Sequence, residues 1–244
     1  MLICQVYEVI YYLSLIIEVI LKCSRKQKLK TRRIGMFSLF KSTKIFNKNN
    51  SREEFIEWIV ARKSWNQINR EVISSIVDKF IDEPELLKHF VLMSEERNLI
   101  NTVYSSISKD IEDISVVLCM FSVTHYNIGC TYRDQVFISN GIGDLPKLFS
   151  MACCFFEFSF RLNEGNISAY FQIGNLMAAL NRNDEAIRWC NKALTTLNKM
   201  KKSDDNSLTI AQKSALEVLI SSGVEEVIID FISNLQTGNV QYAV

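Results

Sequence analysis

Two histidines, His89 and His125, and seven cysteines, Cys4, Cys23, Cys119, Cys130, Cys153, Cys154 and Cys190, are the side chains best suited to nucleophilic or metal chemistry in this chain. A cysteine nucleophile needs an imidazole within hydrogen-bond reach. Cys119 and His125 are six apart on one expected helix, about 240° around it, and Cys130 and His125 are five apart, about 140° around it. Neither pair can meet locally, which leaves only a tertiary pairing. No C-x-x-C occurs, and no His/Cys spacing suits a metal. Gly141-Ile142-Gly143 lacks the preceding strand and the third glycine of a dinucleotide loop. The adjacent acids Glu53/Glu54, Glu95/Glu96, Asp204/Asp205 and Glu225/Glu226 fall on solvated faces or at helix starts, where negative charge suits the macrodipole. The expectation is a protein with no catalytic residue, no metal and no cofactor, and so not an enzyme. The cysteines, odd in number and set mostly in apolar stretches, read as reduced thiols packed as small hydrophobes.

The elements that would carry these residues are helices. The 244 residues include only 8 Gly and 2 Pro, and 48% are hydrophobic. Sheet proteins of this size need many tight turns, and turns use Gly and Pro. Strand-like alternation runs nowhere for more than a few residues. Ser51, with Glu54 three residues on, reads as a capping box, followed by the stripe Phe55, Trp58, Ile59, Ala61. A second helix is expected over 67–81, with Val72, Ile73, Ile76, Val77 and Phe80 at helical spacing. Pro84 opens the next, which carries Leu86, Leu87, Phe90, Val91 and Met93. Further runs start near Leu99 and span about 110–133.

Charge is distributed unevenly. Residues 22–48 hold ten Lys/Arg and no acid, whereas residues 49–244 hold 18 Lys/Arg against 25 Asp/Glu, a net −7. An acidic body does not offer the clustered cations that phosphate contacts require, so nucleic acid is not expected as a partner. Residues 2–21 are apolar at 16 of 20 positions, and seven cations follow in 22–33. That is long enough to span a bilayer, with the body on the cytoplasmic side. Glu8 and Glu18 oppose an anchor, and Met36 opens a stretch that looks like the start of a cytosolic protein. Residues 1–35 therefore read as a membrane anchor, as upstream sequence or as a packed helix, residues 36–50 as a linker, and the body as cytoplasmic.

Residues 168–197 read SAYFQIGNLMAALNRNDEAIRWCNKALTTL. Tyr170, Ile173, Gly174 and Met177 fall on one helical face, and Ala186, Ile187, Cys190, Ala193 and Leu194 on another. Small residues at Gly174 and Ala186 let two helix axes approach closely. This segment resembles the tetratricopeptide repeat, a 34-residue pair of antiparallel helices. Tyr170 stands at the family's large aromatic, Ile173-Gly174 at its Leu-Gly pair, and Asp184-Glu185-Ala186-Ile187 at the start of its second helix. Cys190 departs from the usual aromatic, and the closing proline is missing. A weaker copy lies upstream: His125 to Gly129 with Tyr132, then Ala152 and Phe156. Gly129 and Gly174 are 45 apart, but Ala152 and Ala186 are 34 apart. The surplus falls in an enlarged turn around 133–143, a feature of the Sel1-like relatives of this repeat. Residues 208–221 and 224–235 suit a degenerate third pair or a cap.

The resemblance implies an all-α fold of antiparallel helix pairs stacked as a short tetratricopeptide-like α-solenoid with flanking helices. The implied division is an N-terminal helical bundle over 51–115 and repeats with C-terminal capping helices over 116–244. In this family the ligand lies along the first helices. The positions that implies for a peptide-binding groove are Phe171, Asn175 and Ala178 in the clear repeat, and Tyr126, Cys130 and Arg133 in the weaker one. Asn175 matches the family's carboxylate-holding Asn, but Phe171 and Ala179 stand where the clamp's basic residues belong, so an apolar or mixed peptide fits better. The expected function is an intracellular scaffold or adaptor for a protein or peptide. The alternative is a membrane-anchored assembly component carrying the same domain.

Overall fold

Ser51 opens the first helix with the expected reciprocal cap: its hydroxyl accepts from the Glu54 amide at 3.3 Å, and its own amide donates to Glu54 Oε2 at 2.7 Å. The computed structural model describes residues 51–106, 113–138, 144–203, 208 and 210–238. The expected anchor at 2–21, the linker at 36–50 and Asn140 to Gly143 of the enlarged turn lie outside the described residues. Among the described residues there are ten α-helices and no strand. They are α1 (Arg52–Val60), α2 (Arg70–Phe80), α3 (Pro84–Glu96), α4 (Leu99–Ser106), α5 (Ile114–Ile138), α6 (Leu145–Leu162), α7 (Ile167–Ala179), α8 (Asn183–Lys202), α9 (Ile210–Ser221) and α10 (Val224–Thr237).

The helix limits follow local chemistry. α2 begins three residues later than expected because Asn69 caps it, accepting from the Glu71 amide at 2.8 Å. α5 starts after Asp113, whose carboxylate accepts from the Ser115 amide at 2.8 Å. It runs on to Ile138, so part of the expected turn is helix. Two tight connections use asparagine in the left-handed region, Asn98 (φ 54°) between α3 and α4 and Asn181 (φ 58°) between α7 and α8. Asparagine tolerates that conformation better than most side chains do. The α7–α8 connection is thereby held to residues 180–182.

The most extensive helix–helix contacts are α5 with α6 and α7 with α8. Both pairs run antiparallel. Ser122 Oγ donates to the Ser159 carbonyl at 2.9 Å near one end of the first pair, and Tyr132 stacks on Phe155 at 5.7 Å further along. In the second pair Gly165 lies by Met200, and Gly174 by Cys190.

The core crosses the boundary expected between 115 and 116. Trp65, from the α1–α2 connection, stacks on Phe121 of α5 at 5.9 Å, and Phe90 of α3 meets Phe121 at 6.2 Å and Phe158 of α6 at 5.4 Å. Trp65, Phe90, Phe121, Phe155 and Phe158 are all fully buried. Each such side chain contributes about 1.5–3 kcal/mol by leaving water. Splitting the chain at 115/116 would expose these rings, and Ser51–Val244 groups as one compact unit. A second apolar cluster joins α6, α7, α8 and α10. α5 is long and apolar enough to cross a bilayer by length and composition. In this fold neighbouring helices cover its Phe121, Ser122, Thr124, His125 and Gly129.

Candidate functional site

A tertiary Cys–His pair does exist. Cys154 Sγ of α6 lies 3.6 Å from His89 Nδ1 of α3. Its electrostatics oppose catalysis. Burial, with the Glu157 carboxylate adding to it, pushes the Cys154 thiol up to about 12. Burial also holds His89 below its ordinary value, and Glu96 only partly opposes this. At neutral pH a neutral thiol faces a neutral imidazole, whereas a reactive cysteine needs a thiolate favoured by nearby positive charge. The other histidine is structural. His125 is fully buried among Phe90, Phe121, Phe155 and Phe158. Its Nδ1 donates to the Phe121 carbonyl at 2.6 Å, so Nε2 accepts from the Ser94 hydroxyl at 3.3 Å. Desolvation brings it down to about 4. Among the described residues no three His, Cys, Asp or Glu side chains group as metal ligands.

The six expected groove residues divide into two sets. On α5, Tyr126, Cys130 and Arg133 are half-buried. The Tyr126 ring lies 5.6 Å from Phe156, and burial raises its hydroxyl above the ordinary tyrosine value. The Cys130 thiol is raised by burial and partly lowered by Arg133, which holds Asp134 at 2.6 Å. On α7, Phe171 is 8%, Asn175 4% and Ala178 1% exposed. These three do not line an open groove, which corrects the expectation. Phe171 and Ala178 belong to the apolar cluster that also holds Ile228, Phe231 and Leu235 of α10, and Phe171 meets Phe231 edge-on at 5.4 Å. The helix itself matches the run expected over 224–235; its contact with Phe171 has no signal in the sequence.

An open polar cleft lies between the α1–α2 connection and the α3–α4 corner. The connection is anchored by Trp65, fully buried, and turned by the bonds Trp65 N to Arg62 O at 2.9 Å and Ile68 N to Trp65 O at 3.0 Å. Its outer side presents Arg62, Lys63, Ser64 and Gln67 toward Glu95 and Asn101 across about 750 Å³. Arg62 is paired with Glu95, to which Ser64 Oγ also donates at 2.5 Å. Gln67 donates to Asn101 at 2.8 Å. The Arg62 guanidinium lies 4.9 Å above the Trp58 ring, and its Nε is buried without a hydrogen-bond partner.

No family model, curated protein or solved structure matches this chain. Function is therefore argued from its own residues. Two groupings had no local signal in the sequence. His89 and Cys154 are 65 residues apart and Arg62 and Glu95 are 33 apart, and helical periodicity relates only near neighbours. The one available hint to the cleft was the run Arg62-Lys63-Ser64, polar and basic just after an apolar helix.

Proposed function

We propose that the chain is a protein-interaction scaffold built on two tetratricopeptide-like helix pairs, α5–α6 and α7–α8, with α1–α4 and α9–α10 flanking them. One observation carries the reading: the two pairs make the same contact at the same register. A Cβ placed on Gly129 would stand 2.7 Å from the Phe156 ring, and one placed on Gly174 would stand 2.8 Å from Cys190 Sγ. Phe156 and Cys190 are 34 residues apart, and so are Ala152 and Ala186, both fully buried. That is the tetratricopeptide period. The residue facing the glycine is aromatic in the first pair, as the family has it, and a cysteine in the second. A repeat stack needs neighbours over its open ends, a part that the flanking helices can play.

The partner in this reading is a protein or peptide. Because α10 lies over Phe171, the usable part of the first-helix face is on α5, at Tyr126, Cys130 and Arg133. Aromatic and arginine side chains supply the anchors that dominate such interfaces. No catalytic role is assigned, since the Cys154–His89 pair is neutral. We place the scaffold in the cytoplasm. The second reading, tethering to a membrane, rests on the apolar run 2–21 and the seven cations after it.

The test compares the tagged full chain with its Arg133→Glu variant. A partner recovered by crosslinking in the native cell is purified and titrated against both. The reading expects a weakening of about tenfold or more in the variant. Equal affinity would remove the surface from α5. Recovery of the chain only from the membrane fraction would favour the tethered form.

A further inference from the structure

We propose that the outer face of α8 docks on an anionic membrane surface. This does not rest on the repeat reading, because it needs only α8, its charges and the side it buries. From Ala186 to Lys202 the helix carries five Lys/Arg and no acid, in a body that is net −7 over residues 49–244. Four of the five, Arg188, Lys192, Lys199 and Lys202, recur at intervals of four, seven and three residues, with Thr195 between them. At about 100° and 1.5 Å a residue they fall within about 80° of arc and run for about 21 Å. All of these side chains are exposed. Ala186, Cys190, Ala193, Leu197 and Met200, on the opposite side of α8, are buried. The basic ridge therefore points away from the core.

Stability does not account for the pattern. None of the four forms an ion pair among the described residues, whereas Lys201, off the ridge, is held by Glu225. Like charges three or four residues apart, as at Arg188/Lys192 and Lys199/Lys202, oppose helix formation. The macrodipole favours the lysines of the last turn, but not Arg188 and Lys192, which lie further in. Asp184, one turn before Arg188, is the one acid of α8 in line with the ridge, and it stands at the helix start.

The make-up of the ridge selects the partner. Three of its four cations are lysines, compact charges on flexible stems that lack the planar fork of arginine and suit a diffuse sheet of charge. The exposed residues of α8 from Arg188 to Lys202 are all polar. A peptide would find no apolar anchor there, and exposed ion pairs alone hold little. Single-stranded nucleic acid uses open rings for stacking. The one aromatic of α8, Trp189, is half-buried against Phe160 and Tyr170, with Lys192 Nζ 4.0 Å over its ring. A bilayer needs neither anchor nor ring. Its headgroups meet a row of cations in any register, and each cation near an anionic surface is worth about fivefold in partitioning. The same chain carries seven more cations at 22–33, so the ridge does not act alone.

The experiment is a lysine-acetylation footprint of the full chain, read by peptide mass. Four additions are compared: phosphatidylcholine vesicles, the same vesicles with about 30% phosphatidylserine, a glutamate-rich peptide and a single-stranded RNA. The anionic vesicles should slow acetylation of Lys192, Lys199 and Lys202 by about fivefold or more, and about 0.5 M salt should reverse the effect. Lys63, on the α1–α2 connection, reports any general slowing. Because each lysine is read separately, attachment through residues 2–33 does not obscure the result. The double variant Lys192→Glu with Lys199→Glu changes two exposed positions and should keep its fold, which a melting curve verifies. In it Lys202 should lose its protection. Unchanged rates with anionic vesicles, equal protection by neutral ones, equal slowing of Lys63, or protection of Lys202 retained in the folded double variant would each overturn the proposal. Stronger protection by the peptide or the RNA than by anionic vesicles would overturn it too, and would assign the ridge to that partner.

Discussion

Gly174 on α7 lies directly against Cys190 on α8: a Cβ on the glycine would stand 2.8 Å from the sulfur and 3.3 Å from the Ala186 carbonyl. Real Cβ atoms do not approach other atoms so closely, so the helices are as near as they are only because one of them has no side chain there. Gly174→Ala should destabilise the protein by about 1–3 kcal/mol, the usual range for overpacking. Cys190→Ala removes the obstructing sulfur. The double variant should therefore recover part of the loss, a coupling typical of residues in contact. Additive effects in chemical denaturation would mean that the two do not touch.

Ala186→Leu tests the same crossing from the other helix. Ala186 is fully buried, with no room for three more carbons. A loss of about 1–3 kcal/mol is expected. An unchanged melting temperature would show that the α7–α8 axes are further apart than the proposed repeat requires.

These contacts were legible in the sequence because they repeat at helical spacing: Gly174, Ala186 and Cys190 stand where the periodicity puts two facing stripes. The Ser51 cap and the Pro84 start were legible for the same reason, since both act within one turn. Trp65 was not. It sits in a connection without periodicity, yet it is fully buried and joins α3 and α5 through Phe90 and Phe121. The covering of Phe171 by Phe231 was equally hidden, as 60 residues separate them. The sequence marked both as apolar. Which apolar face would meet which is decided by packing over the whole unit.

His125 predicts an acid-sensitive fold. Its value is near 4 in the folded protein and near 6.5 when solvated. The unfolded chain therefore binds a proton that the folded one refuses between those values. Stability from this group is full above pH 6.5 and declines as pH falls toward 4, by about 3 kcal/mol in all. His89, also lowered by burial, acts in the same direction. Denaturant midpoints at pH 7.5 and 4.5 should differ, and His125→Phe should flatten that dependence. A variant with the wild-type pH profile would assign the acid sensitivity to other groups.

Cys154 should be slow to alkylate in the native protein despite its histidine neighbour. With its thiol near 12 in place of 9, the thiolate fraction at pH 7.5 falls about a thousandfold. Timed labelling with iodoacetamide, read by peptide mass, should find Cys154 protected until denaturant is added. Rapid native labelling, abolished by His89→Ala, would instead indicate an activated pair and reopen the question of catalysis.

The ring pair Phe171 and Phe231 decides whether α10 belongs to the body. Phe231 is 4% exposed, so Phe231→Ala should cost about 3–5 kcal/mol if α10 is packed as seen, because it leaves a large cavity against α7. Phe171→Ala should cost a similar amount. In the double variant the second loss should be smaller by about 0.5–1.5 kcal/mol, the coupling of an edge-to-face pair. A coupling near zero, with a small cost for Phe231→Ala, would mean that α10 leaves α7 in solution. Phe171 would then face solvent, and the binding face would extend from α5 onto α7.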